Sequence, residues 1–561
     1  MTIDLIPPGV VLILGAFLLP VTHGVVRQVL VLGLPLVVLA LIWQVPDGAV
    51  LTAGFLDYEL TILRGEAVGR VFATVFAIMA AVGGLFALRQ ATVFEVTSAF
   101  IYAGSAIGVA MAGDLITVFV FWELMAVGST LVIWAAGTDA AYKASMRYAA
   151  VHLFGGVVLM IGIVAHVSAT GDVAFTHMAL DSFGTWLILI GFLVNAGAPP
   201  FSSWLPDAYP EASPSGMVFM SAFTTKTAVY VLIQSFAGAE ILIYVGIYMA
   251  CYGIVYALLE NDMRRILAYS IVNQVGFMVC GIGIGTEMAL NGATAHAFTH
   301  IIYKALLLMS AGSVLYMTGK RKCTDLGGLF QSMPLTCICG TIGALAISSF
   351  PLTSGFISKS MISQAAADQH LVFAWFMLMA ASAGVFLHAG IKFPWFVFFQ
   401  KDSGLRPPDP PSEMRVAMII FAAFCIGLGI YPDPLYAILP FKVDYVPYTV
   451  SHVVTMLQLL LFSGLAFFLL LPMMKRTLTI TLDTDWFYRR FGVWAVAAGE
   501  TVVTSVRSAF LGGAGRVVDG VMAFAERIAG PNAVLARHRS AGAMAVWAIA
   551  LLALYLLFNL L

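Results

Sequence analysis

The sequence predicts an all-α polytopic membrane protein with about 16 transmembrane helices. Of its 561 residues, 61% are hydrophobic and only 10% charged, whereas an ordinary soluble domain carries about 25% charged residues. Apolar windows of about 20 residues, the length that crosses a bilayer, recur from end to end. The breaks between them are short and rich in Gly, Pro or charge.

In chain order the expected spans are 5–22, 25–43, 68–88, 94–112, 115–136, 146–168, 183–206, 215–237, 240–259, 265–286, 289–317, 335–366, 371–399, 414–431, 449–474 and 543–561. The first apolar run follows Asp4 with no Lys or Arg before it. It therefore lacks the basic start of a cleaved leader and reads as a retained helix.

Lys and Arg collect after the odd-numbered spans, at Arg27, Arg89, Lys143, Arg147, Arg264, Arg265, Lys320 to Lys322, Lys401, Arg406, Arg415, Lys475 and Arg476. Arg64 and Arg70 are the main exceptions. The bias places those loops in the cytoplasm and both termini outside.

The longest polar stretches are 44–67, 400–415 and 475–541, too short for a sizeable soluble domain. The Pro-rich run 400–415 cannot continue a helix and reads as a connector. Residues 486–540 mix Trp486, Phe487, Tyr488 and Trp494 with Arg489, Arg490, Arg507, Arg516 and Arg527. That pattern suits a helix lying along the membrane surface or against partner helices.

A net charge of −1 leaves no basic footprint, so no nucleic-acid partner is expected. The six cysteines form no CxxC pair and read as small apolar residues. Neither a metal nor another cofactor is expected.

The chemistry must then lie within the bilayer. Gly197 to Pro200 interrupt the seventh expected span and Pro351 to Gly355 the twelfth. Unwound backbone survives at that depth only where protein or water satisfies it, so paired breaks point to an ion path in an inverted-repeat transporter.

An ionisable side chain in mid-membrane costs roughly 2.5–3.5 kcal/mol even on the lenient scale, and so requires a partner or a task. Glu123, in FVFWELMAVGST, is flanked by apolar residues on both sides and suits proton exchange; the bland alternative is a hydrogen-bonded structural carboxyl. Lys226, in MSAFTTKTAVYVL, is a candidate proton carrier or half of a structural salt bridge. His296, His300 and Lys304 follow one another at i, i+4, i+8 and so share a helix face, as a relay or as a packed polar stripe. The two histidines have no HExxH glutamate beside them, which argues against zinc. Lys359 follows the second break, where it passes protons to a water-filled exit or anchors the helix end. His388 and Lys392 extend this path.

The stretches GDLITVFVFWELM, WLPDAYPEASPSGMVFMSAFTTK, NDMRRILAYSIVNQVGFM, AHAFTHIIYKALL, DLGGLFQSMPLT and FPLTSGFISK resemble a proton-translocating superfamily. Its members are the D-type subunits of Mrp cation/proton antiporters, membrane-bound hydrogenases and the antiporter-like subunits of respiratory complex I. The resemblance runs from about residue 90 to about residue 400.

It implies a fourteen-helix core with two inverted five-helix repeats, each with a broken helix, and charged residues at mid-membrane depth. The chain divides accordingly into N-terminal helices (1–90), a first repeat (91–237), a second repeat (238–400), C-terminal core helices (401–474), an amphipathic lateral region (475–541) and a terminal span (542–561). The resemblance further implies that Glu123 pairs with a lysine on the seventh helix, and that protons pass by Lys226, the His296 to Lys304 face and Lys359. Counted back from WLPD, the position of that lysine is Asn195. Without it an ion pair cannot gate proton uptake at Glu123, so either Lys226 takes over or this half does not pump.

The expected function is a proton-conducting component of a multisubunit Mrp-type cation/proton antiporter in the bacterial inner membrane. Other membrane subunits would be its partners, and protons with Na+ or K+ its cargo. Two alternatives stand beside it: a pumping component of a complex I-like or hydrogenase-like redox enzyme with redox centres on other chains, and a coupling component that energises an associated uptake system. DTDWFYRR at 483–490 and the final span resemble the longer superfamily members, in which a lateral helix braces neighbouring subunits.

Overall fold

A computed structural model describes residues 6–472, 483–530 and 540–560. They fall into two compact units, Met1–Asp485 and Trp486–Leu561. Asp4, Lys475, Arg476 and the stretch 531–539 lie outside the described residues.

The first unit opens with α1 (Pro8–Ala16) and α2 (Gly24–Ile42), then a β-hairpin of β1 (Gly48–Phe55) and β2 (Tyr58–Gly65). It continues through α3 (Ala67–Ala87), α4 (Val93–Ala110), α5 (Leu115–Trp134), α6 (Asp139–Thr170), α7 (Phe183–Ala196) and the short α8 (Trp204–Ala208). Next come α9 (Pro214–Met220), α10 (Thr224–Phe236), α11 (Ile241–Leu259), α12 (Met263–Ile284) and α13 (Glu287–Thr318). The unit closes with α14 (Pro334–Ile347), α15 (Ser354–Asp368), α16 (Val372–Val385), α17 (Ser412–Ile430), α18 (Asp433–Tyr436) and α19 (Val450–Leu470).

Among the described residues, 13 helices are long and apolar enough to cross a membrane. The other expected spans, 5–22, 183–206 and 335–366, come as shorter pieces, because Gly and Pro cut them. At the end of α7, Gly197 takes φ +77° and its N–H bonds to the carbonyls of the last turn, the left-handed close that glycine accepts without strain. Polar side chains start the helices. Asp114 accepts the Thr117 N–H at 2.7 Å, Thr138 the Ala141 N–H at 3.0 Å and Asp262 the Arg264 N–H at 2.9 Å, each worth about 1 kcal/mol.

The hairpin is an addition to the all-helical expectation. It fills the polar stretch 44–67 and ties itself to the α4–α5 connection, where Arg64 N–H reaches Met111 O at 2.7 Å and Gly113 N–H reaches Thr61 O at 2.9 Å.

α12 is buried on every side and α13 nearly so, whereas α2 and α19 expose most of their apolar surface. A helix that is apolar all round belongs at the centre of a large bundle, so α12 and α13 form the axis around which the lipid-facing helices pack. At the start of α12 lies an ionic layer. Arg264 donates to the carbonyls of Pro210, Ala212 and Ser213 at 2.8 Å each. Arg321 bridges Asp262 and Glu211, Arg265 pairs with Glu260, and Arg147 forks onto Asp207. Burial raises the pKa of the Asp262 carboxyl from its ordinary value, and Arg321 offsets part of that rise.

Among the described residues, three interruptions cut the apolar helices: Gly197–Ser203, Ser221–Phe223 and Ser348–Thr353. The first and third fall where Gly and Pro announce them; the second, between α9 and α10, contains neither. In the third, Ser349 and Leu352 hold φ of +59° and +68°, a backbone cost of order 1–3 kcal/mol each that clusters at functional positions. α16 continues in π-helical geometry through Phe386–Lys392 and Trp395–Phe399, a distortion also common at functional sites.

The second unit comprises α20 (Val493–Ala529), entered through a π-helical turn at Phe487–Gly492, and α21 (Ala541–Leu560). No residue of either helix is buried, and Val, Phe and Leu side chains stand exposed along both. α21 alone has the length and hydropathy of a span here.

Candidate functional site

The two central helices carry the ionisable residues inward. On α13, His296, His300 and Lys304 are all fully buried. His296 is held on both sides: its Nε2–H donates to Gln274 Oε1 at 3.1 Å, and its Nδ1 meets Ser358 Oγ at 3.2 Å. The Tyr303 hydroxyl donates to the same Gln274 oxygen at 3.1 Å. Gln274 in turn bonds to Asn273, whose amide reaches Ala250 O at 2.8 Å. A tautomer fixed in this way leaves His296 one defined proton donor. By contrast, both ring nitrogens of His300 and the Nζ of Lys304 have no hydrogen-bond partner among the described residues.

Lys226 stands three residues into α10, at the second interruption. Its ammonium donates to the freed Ser221 carbonyl at 2.6 Å and to Thr225 Oγ1 at 3.0 Å. The charge on Lys226 reaches His300 and Lys304 electrostatically, and that on Lys359 reaches His296. Lys226, the α13 stripe and Lys359 are thus brought into one buried row across three helices.

Lys359, on α15 after the third interruption, lies 4.7 Å over the Phe277 ring and lines a cavity of 220 Å³. A second cavity of 630 Å³ borders it, and Gln364, Tyr445, Thr449 and His452 line both. Thr286 and Glu287, at the far end of α12, line the second.

His388 feels the charges of Lys304, Lys392 and Lys359, and its Nδ1–H donates to Gly384 O at 2.8 Å. Lys392 gives its ammonium protons to the carbonyls of Ala257, Leu258 and Glu260 at 3.0, 2.6 and 2.5 Å. Those carbonyls sit at the C-terminus of α11, where unpaired oxygens attract a cation. Lys392 and the Lys359 cavity therefore lie toward opposite ends of α12, whose 22 residues span about 33 Å.

Glu123 and Asn195 stand apart from this row. A Cβ on Gly156 of α6 would fall on Glu123 Oε1, so with any larger residue there the carboxyl end would have to shift from its present place. Glu123 Oε1 has no hydrogen-bond partner among the described residues. Asn195 Oδ1 accepts from His152 Nδ1–H at 2.7 Å.

Sequence reading passed over two buried groups. His152, on α6, is a single histidine in an apolar run, and only its mid-span position signals it. Glu95, in the first turn of α4, is capped by Ser213 at 2.8 Å and by Ser215; its partners are too far along the chain to suggest the contact.

A helical membrane bundle with interrupted helices and a buried row of titratable side chains defines an ion-translocating class of fold. Residues 112–386 match the NADH:quinone oxidoreductase/Mrp antiporter transmembrane family. The chain belongs to that family, related to Na+ or K+/H+ antiporter subunits, and is a multi-pass inner-membrane protein.

It is 30% identical over 360 residues to a probable K+/H+ antiporter protein of Rhizobium meliloti, of the combined A/B type, covering 59% of this chain and 36% of that one. It is also 30% identical over 365 residues to the M component of the NADH-quinone oxidoreductase of Pseudomonas aeruginosa, covering 59% of this chain and 70% of that one. The chain thus spans about a third of the first relative's length. The fold is similar to a chain of the Mrp complex from Dietzia sp. DQ12-45-1b, with a TM-score of 0.78 at 21% identity, over 93% of this chain and 63% of that one.

Proposed function

We propose that this chain conducts protons as one component of a multisubunit cation/proton antiporter assembly. The observation that carries the reading is the buried row Lys226, His300, Lys304, His296 and Lys359, built from three neighbouring helices with leads toward opposite ends of α12. A proton moves between sites whose charged forms are each costly, so no station holds it long. The unpartnered His300 and Lys304 act as carriers, and Gln274 and Ser358 fix the orientation of His296. The paired cavities at Lys359 open the row toward one face. His388 and Lys392 lead toward the other, where the α11 carbonyls hold the cation.

On this reading 91–237 and 238–400 are two inverted repeats, in which Lys226 follows the interruption at Ser221–Phe223 and Lys359 the one at Ser348–Thr353. The lateral region 475–541 and the terminal span 542–561 brace other membrane subunits of the complex. The relatives' names support Na+ or K+ as the exchanged ion.

The resemblance to an NADH-quinone oxidoreductase component favours a second reading, in which redox subunits drive the same row. Asn195 favours a third, a coupling role with reduced translocation. Proton flux in vesicles carrying the native complex tests conduction itself. Glu123→Gln and Lys226→Ala are expected to stop flux in an assembled complex, and Asn195→Lys to change it. Unchanged flux in the first two variants would overturn the conduction reading and leave the chain a scaffold.

A further inference from the structure

α6 and α13 are both 32 residues long, and His152 and His300 each lie thirteen positions past the helix start, at Asp139 and Glu287. The stripe His296, His300, Lys304 on α13 thus has a counterpart on α6 in Tyr148, His152 and Gly156. Where α13 carries Lys304, α6 carries a glycine, and the Glu123 carboxyl from α5 enters the space its side chain would fill.

His152 is 1% exposed. Its Nδ1–H is committed to Asn195 Oδ1 at 2.7 Å, which leaves the basic lone pair on Nε2. That nitrogen has no hydrogen-bond partner among the described residues, and neither has Asn195 Nδ2 or Glu123 Oε1. The imidazole packs against Tyr148, with ring centroids 4.0 Å apart, and against Trp204, at 4.6 Å. Asn195 from α7, Trp204 from α8 and Tyr148 from its own helix touch it, and the Glu123 carboxyl from α5 lies against Gly156, one helical turn further along the same face. Tyr148 OH also donates to Ser129 Oγ at 3.0 Å and pairs with Thr224 Oγ1 at 3.3 Å. Thr224 opens α10, two residues before Lys226. The Tyr148 ring packed on the imidazole thus carries a hydroxyl that reaches the start of the helix bearing Lys226.

We propose that His152 is a proton-carrying residue that works with Glu123, supplying in this half of the molecule the titratable partner that Asn195 does not. A proton leaves the Glu123 carboxyl as its O–H bond breaks, and binds the Nε2 lone pair; on its release toward Lys226, His152 returns to the neutral tautomer that Asn195 holds. The inference rests on the conduction reading above.

The test is proton flux in vesicles carrying the whole native complex, with assembly matched between variants. His152→Gln keeps a donor for Asn195 but carries no proton, and is expected to lower flux about a hundredfold. The double variant His152→Gln/Asn195→Lys is expected to recover at least a tenth of native flux, because a titratable amine returns to the same helix crossing. Native flux in His152→Gln together with its loss in Glu123→Gln overturns the inference while conduction stands. Native flux in both overturns conduction and the inference with it. Where His152→Gln does not assemble, His152→Lys decides: retained flux supports a carrier, and lost flux in an assembled complex means a packing imidazole.

Discussion

The two 32-residue helices α6 and α13 carry the same plan with different charges. α13 bears its own titratable stripe at the bundle axis, and its amine Lys304 has no partner among the described residues. α6 is half exposed and borrows its charge from a neighbour, since Gly156 admits Glu123. A self-contained stripe is tuned by its surroundings, here Gln274 and Ser358; a borrowed one depends on how closely two backbones approach. Small residues therefore matter on α6 and polar ones around α13.

The largest effect expected from this contrast is at Lys304. Lys304→Ala removes a carrier without orphaning a partner, so flux should fall about a hundredfold while the unfolding midpoint of the purified complex drops little. If flux survives, the two stripes are not equivalent stations. Next comes Gln274→Leu, which strips the shared acceptor from His296 and Tyr303. Buried polar groups then lose a partner, Asn273 Oδ1 its donor and the His296–Tyr303 pair its shared acceptor, at about 1–3 kcal/mol each, and both thermal stability and flux should decline. A stable, conducting variant would show that the His296 tautomer is not set by Gln274.

Lys392→Met tests the end of the row. It leaves the carbonyls of Ala257, Leu258 and Glu260 without their shared donor, which should cost about 1–3 kcal/mol and lower flux less than Lys304→Ala does. The smallest effects belong to the caps. Thr138→Ala on α6 and Thr286→Ala on α13 each lose a bond to the third residue of the helix, worth about 1 kcal/mol. Stability should drop similarly in the two, with flux retained; a large flux change in either would mean that the helix start, not the stripe, governs transport.

The contrast also shows what a sequence reveals. Spans such as 25–43, 68–88 and 265–286 were legible because a bilayer demands long apolar windows, and the structure returns Gly24–Ile42, Ala67–Ala87 and Met263–Ile284. The α13 stripe was legible because i, i+4 spacing alone stacks side chains. The break at Ser221–Phe223 was not, since no Gly or Pro marks it. There polar side chains satisfy the freed backbone instead: Lys226 takes the Ser221 carbonyl, and Thr224 N–H donates to Tyr102 OH at 2.9 Å. His152 was hidden for a related reason. Its meaning depends on Asn195, 43 residues away, and on a glycine that matters only for what it admits. The hairpin at 48–65 was hidden too, because a polar stretch between spans reads as a loop whether or not it pairs.

The most direct test of the central claim is proton flux through vesicles containing the native complex, before and after Lys226→Ala, with assembly matched. The buried row predicts that flux is lost, because Lys226 is the group through which the first half reaches His300 and Lys304. Flux at the native rate would contradict the account, since the proton would then cross without the row.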